Sequence, residues 1–103
     1  MPRFLVTYHG GNMPHDAGSM AKARDAFMHW AGKVGPALVD PGAPIGAART
    51  LSSDGTKDGL ADGPFNGYSV IEAADLNAAA KLLADHPFIG RGGVLQINEA
   101  AAI

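Results

Sequence analysis

The chain contains no cysteine, which excludes disulfides, thiol nucleophiles and cysteine-ligated zinc, and suits a reducing compartment. It also has no apolar run long enough to cross a bilayer. Lysine and arginine total 8 against 10 aspartates and glutamates, for a net charge of −2. The basic residues form no cluster, so there is no stripe to follow a phosphate backbone, and nucleic acid is not an expected partner. No basic segment with a leader-like apolar stretch opens the chain, and the expected location is the cytoplasm, with no membrane partner.

What is present is 47% hydrophobic residues in 103 positions, punctuated by 14 glycines and 7 prolines. Such a length makes one domain, residues 1–103, that buries roughly two-thirds of the surface of the unfolded chain. Residues 3–9 read as a first strand and 10–18 as a loop. Ser19 is the expected cap of a helix over 20–34, in which Met20, Ala23, Phe27, Ala31 and Val34 share a face and Gly35-Pro36 supplies the stop. Pro41 and Pro44 argue against a long regular strand after Leu38. The next strand is therefore expected over Ile45–Ser52, with Arg49 on the face of Ile45, Ala47 and Leu51.

Residues 53–59 read as a hairpin connection and 66–73 as the clearest strand of the second half. Asp75 caps a second helix with the stripe Leu76, Ala79, Leu82 and Leu83, and Pro87 ends it after His86. Residues 94–98 form the last strand. The order β-α-β-β-α-β predicts an α+β, ferredoxin-like antiparallel sheet with both helices on one face. The opposite face, on which Tyr8 or Tyr68 would stand, is then left for a partner, and a second copy of the chain is the economical one.

Asp62 is the first candidate for chemistry. An Asx turn ordinarily takes the amide two residues on, which here is Pro64 and has no N–H. Asp62 is thus either a turn acid reaching Phe65 or a pocket acid or base. His86, at the expected C-terminal end of the second helix, gains from the dipole in its protonated form and suits an acid or an anion binder; it is otherwise a surface histidine at a helix end. His9 ends the first strand and is placed to point toward the turn of Asp62. His9, His15 and Asp16 bracket a loop but lack the spacing of a rigid metal site, so no metal is expected. Arg49 is a candidate anion binder. Gly90-Arg91-Gly92-Gly93 precedes a strand rather than a helix, unlike a nucleotide loop, and reads as a turn with an exposed arginine.

The run Asp62-Gly63-Pro64-Phe65, followed by Gly67-Tyr68 and the apolar strand to Glu72, resembles the signature of the YCII-related (DGPF-motif) family. Strand one, Trp30 and Gly35, Asp40-Pro41-Gly42 and the closing strand extend the resemblance. It implies a ferredoxin-like fold paired as a dimeric α/β barrel, in a family that includes a muconolactone-type dehalogenase. The stretch ending Asp85-His86-Pro87-Phe88 resembles the family's acid-Pro-aromatic segment, with His at the position before Pro, so the acid's role shifts toward Asp85. The family's helix-one histidine is not matched by His29. The implied site is one small pocket per subunit, with Asp62 and His9 or His86 as catalytic groups and Tyr8, Arg49, Tyr68 and Asp85 binding a small-molecule ligand. The expected chemistry is general acid/base catalysis on a small cyclic or carboxylated metabolite, without a cofactor, Asp62 moving the proton and His86 or Arg49 holding negative charge. The alternative is a non-catalytic dimeric ligand-binding or accessory module.

Overall fold

Phe4, Val6 and Tyr8 alternate along the chain with Arg3, Leu5, Thr7 and His9, and a strand sends these two sets to opposite faces. In the computed structural model, which describes residues 1–10, 16–59 and 65–101, this segment is strand β1 (Arg3–Gly10). The other elements are α1 (Ala17–Val34), a 3-10 turn (Gly35–Ala37), β2 (Leu38–Pro44), β3 (Arg49–Ser52), β4 (Gly55–Asp58), β5 (Gly67–Glu72), α2 (Leu76–Leu83), α3 (Pro87–Gly90) and β6 (Gly93–Glu99). Four strands form an antiparallel sheet in the order β2-β5-β1-β6, and β3-β4 form a separate two-stranded sheet. The protein is therefore α+β.

The core lies on one side of the large sheet. Phe4, Val6, Ile71 and Ala73 are buried with Trp30 of α1 and with Ala79 and Leu83 of α2, and Tyr8, Phe27, Leu38, Leu82, Leu95 and Ile97 pack around them. All the strand members belong to one pleat parity, so α1 and α2 share a face. The Trp30 indole N–H donates to the Leu82 carbonyl at 3.1 Å and ties the two helices together. Principal extents of 44 × 42 × 19 Å fit a slab of one helix layer on one sheet. The register pairs Leu5 with Val70 and Asn98, and Thr7 with Tyr68 and Gln96, which places these residues together on the face without helices.

Several expectations from the sequence are corrected. Asp16, not Ser19, caps α1: its carboxylate accepts from the Ser19 N–H and hydroxyl at 2.8 and 2.9 Å, and this holds its pKa below the ordinary value. The helix thus begins about a turn early, and Met20 is exposed. The strand that joins the sheet is Leu38–Pro44, prolines included, and not Ile45–Ser52. It is an edge strand whose pairing with β5 shifts register on both sides of Asp40, and edges and bulges are where proline is tolerated. Gly42 has φ +72° and is so close to β5 that an added Cβ would lie 1.7 Å from the Tyr68 carbonyl oxygen. Only residues 49–52 of the expected second strand pair, with β4. Tyr8 belongs to the helix side, not to the open face.

Leu83 is 2% exposed within the core whereas Lys81 faces solvent. Leu83→Ala should therefore destabilise the protein by about 2 to 5 kcal/mol through the cavity it leaves, and Lys81→Ala should cost little. Similar denaturation midpoints for the two variants would place the inner face of α2 wrongly.

Candidate functional site

The residues expected to form one pocket are divided by the sheet. Tyr8 pairs with Gly67 and Thr7 with Tyr68, so Tyr8 and Tyr68 project from opposite faces, as do Tyr8 and His9.

On the helix side the Tyr8 hydroxyl lies 2.9 Å from His86 Nε2 and 2.7 Å from Ser69 Oγ. Ser69 Oγ donates to the Pro41 carbonyl at 2.8 Å, and the Phe88 N–H donates to His86 Nδ1 at 3.0 Å. These two ends fix every proton between them. Nδ1 accepts, so Nε2 carries the hydrogen and donates to Tyr8; Tyr8 donates to Ser69; Ser69 donates to Pro41. The chain of donors thus runs in one direction from α3 to the bulge of β2. His86 is 3% exposed, with its ring 4.5 Å from that of Trp30, 5.1 Å from Tyr8 and 5.7 Å from Phe27. Burial, aided by the charge of Arg91 and opposed by Asp85, lowers its pKa to about 4. Burial likewise raises the Tyr8 phenol, against the hydrogen bond with Ser69.

This overturns the expectation of a protonated histidine at a helix C-terminus. Helix α2 ends at Leu83, and His86 is the N-cap of α3. Pro87, which reads as a stop, is instead the first residue of the next helix, a position that suits proline because no N–H is needed there. A neutral imidazole with both nitrogens engaged in the core neither holds an anion nor supplies a proton at neutral pH. Asp85 is on the surface, bound to Lys33, which holds its carboxyl below the usual range. Arg49 is exposed on the β3-β4 hairpin, 3.1 Å from Asp58. His29 is exposed beside the buried Trp30. Arg91, expected in solvent, is half-buried with its guanidinium 5.5 Å from the Phe88 ring centroid.

On the open face, Thr7 Oγ1 and His9 Nε2 are 2.7 Å apart, and the His9 ring lies 5.9 Å from that of Phe65. The next residue is pinned at the same end of β1: the Asn66 N–H donates to the Tyr8 carbonyl at 2.6 Å, and its own carbonyl accepts from Ile45 at 2.8 Å. Tyr68 completes the row through Thr7. Asp62 and His15 lie outside the described residues. Sequence reasoning missed Thr7 and Gln96; the signal was in the alternation of polar residues along β1 and β6, which became legible only with the register. Among the described residues no three of His, Cys, Asp and Glu come together as a metal site. The chain matches no family model and no curated protein sequence.

The depressed pKa of His86 sets a pH dependence. The unfolded histidine takes up its proton near pH 6.5 and the folded one near 4, so its contribution is complete above about 6.5 and is lost as pH falls toward 4. Between these values the slope should approach at most about 1.4 kcal/mol per pH unit. His86→Asn keeps a capping acceptor but does not titrate. Chemical denaturation across this range should show a steeper slope in the wild type than in the variant, in which only groups such as Asp16 and Asp85 remain to titrate at the acid end; equal slopes would remove His86 as a source.

Proposed function

We propose that the chain is a YCII-related protein of ferredoxin-like topology that works in the cytoplasm as a homodimer and uses its open sheet face for general acid/base chemistry on a small cyclic or carboxylated metabolite. The observation that carries this reading is the Thr7–His9 hydrogen bond on the face that no described helix covers, with the His9 ring 5.9 Å from that of Phe65. Phe65 directly follows Asp62-Gly63-Pro64 in the chain, so His9 is the histidine to associate with Asp62. The strand order β2-β5-β1-β6 supports the topology, since it sets β5 between β2 and β1 with every neighbouring pair antiparallel.

In this reading Asp62 moves the proton and His9 assists it. Because His86 is sealed and neutral and Arg49 is engaged by Asp58, developing negative charge falls to open-face donors, the Tyr68 phenol and the Thr7 hydroxyl. The withdrawal of His86 and Tyr8 into a structural relay equally favours a second reading, a dimeric ligand-binding module without turnover. Leu5 at 42%, Val39 at 37% and Val94 at 62% exposed on or beside the open face supply the apolar surface that a second copy would cover.

Sedimentation at micromolar concentration should give a dimer, and a clean monomer would sink the paired-sheet arrangement. Thermal-shift screening against small lactones and carboxylic acids tests the site, because a ligand of the folded state raises its stability. Asp62→Asn should abolish that stabilisation, and any turnover, while changing the stability of the free protein by less than about 1 kcal/mol. A destabilised variant that still binds normally would remove Asp62 from the site.

A further inference from the structure

The hydrogen-bonding row across the open face has a defined polarity and contains no lysine or arginine. Asn98 Nδ2 donates to the Leu5 carbonyl at 2.9 Å, which turns Asn98 Oδ1 toward Gln96. Gln96 Nε2 donates to that oxygen at 2.6 Å, so the Gln96 carbonyl oxygen is the end of the amide left for another donor. Gln96 is the register partner of Thr7, which in turn is paired across β1 with Tyr68. The row thus presents a phenol, a hydroxyl bonded to an imidazole, and an oriented amide acceptor. Arg3 is the only lysine or arginine in the four strands, and its guanidinium is already 3.2 Å from Glu72. The one carboxylate inside β2, Asp40, is turned to the Gly42 N–H at 2.8 Å.

We infer that the open face selects an uncharged, hydroxyl- or amide-bearing ring over a carboxylate anion, with Gln96 as a specificity-determining residue that accepts the ligand's donor. This rests on the reading of the open face as the site and narrows its substrate class from cyclic or carboxylated to neutral and cyclic. A carboxylate brought to this surface would find no unpaired lysine or arginine on these four strands to replace its water, and an anion desolvated without such a partner is disfavoured. A neutral ring loses much less on leaving water. Its carbonyl fits the Tyr68 or Thr7 donors, and its hydroxyl or N–H fits the Gln96 oxygen, which an anion lacking a donor would leave unmatched.

The test is a pair of chemical-shift titrations of the isotope-labelled protein, in its native oligomeric state, with 2-hydroxy-γ-butyrolactone and with its ring-opened anion 2,4-dihydroxybutanoate. The lactone is expected to shift the backbone amides of Thr7, Tyr68 and Gln96, and the anion to leave them in place. Gln96→Leu, an exposed near-isosteric change, should weaken lactone binding about tenfold, the worth of one good hydrogen bond. Preferential shifts with the anion would overturn the selectivity and leave the acid/base reading standing. Lactone binding lost in His9→Ala but unchanged in Gln96→Leu would remove Gln96 and again leave that reading. Binding that depends on Gln96 and not on His9 would support the inference and sink the acid/base reading. Open-face signals indifferent to both probes would overturn both.

Discussion

The pleat of β1 governs the rest of the molecule. With β5 on one side and β6 on the other, this strand has no freedom to slip, because a shift of one residue would expose Phe4 and Val6 and bury Arg3 and Leu5. Both Phe4 and Val6 are fully buried, and burying each such side chain is worth about 1.5 to 3 kcal/mol. The register that satisfies them leaves no choice for the next residues: Tyr8 must enter the helix layer and His9 must leave it. Two neighbouring residues with similar chemical promise thereby receive different tasks.

Tyr8 brings a polar hydroxyl into an apolar layer, a cost of about 1 to 3 kcal/mol if it went unmatched. His86 and Ser69 resolve this, and in doing so they connect parts far apart in sequence. The relay joins the cap of α3 to the irregular edge strand β2, where Pro41 offers a carbonyl that the shifted register leaves for Ser69. At the other end α3 presses Phe88 against β6, so closely that a Cβ on Gly93 would lie 2.2 Å from its ring. Neutral His86 therefore acts as a spacer of fixed polarity, and its low pKa follows from that role. A perturbed histidine in this fold marks a packing problem solved, not a proton-transfer group.

The α+β class, the bodies of α1 and α2 and the closing strand were legible because each rests on local periodicity, whereas α3 was not. The stripe of α2 reads directly as Ala79 and Leu83 buried, although Leu76 at 51% exposed lies beyond the core. The failures share a different cause. Locally, Pro87 and the prolines of β2 are breakers, but tertiary context uses them as a helix first residue and as edge-strand positions. The sequence neighbours of His86 point to a helix end, whereas its state is set by Trp30, Tyr8 and Phe27, contributed by other elements. Single residues announced their chemistry; which of them would meet depended on register, and register is not written in any local window.

The composition of the open face argues against a surface used for association alone. Face-to-face sheet packing calls for apolar residues at alternate positions of each strand, and the helix side of this sheet supplies them. The opposite side has Leu5 and Val70 beside Asn98 in one row and Tyr68, Thr7 and Gln96 in the next. A row of hydrogen-bonding groups in the middle of a sheet weakens a dry interface, since each group covered without a partner carries a desolvation cost. It is well placed, however, if Leu5 and Val70 meet a partner and the row of Thr7 borders a space that stays wet or holds a ligand. Thr7 is itself only 9% exposed on this uncovered side, its hydroxyl held by His9. The side chains around it thus already form an ordered polar floor before any partner arrives, and ordering in advance is what a binding site requires to avoid the entropic cost of assembling on its ligand.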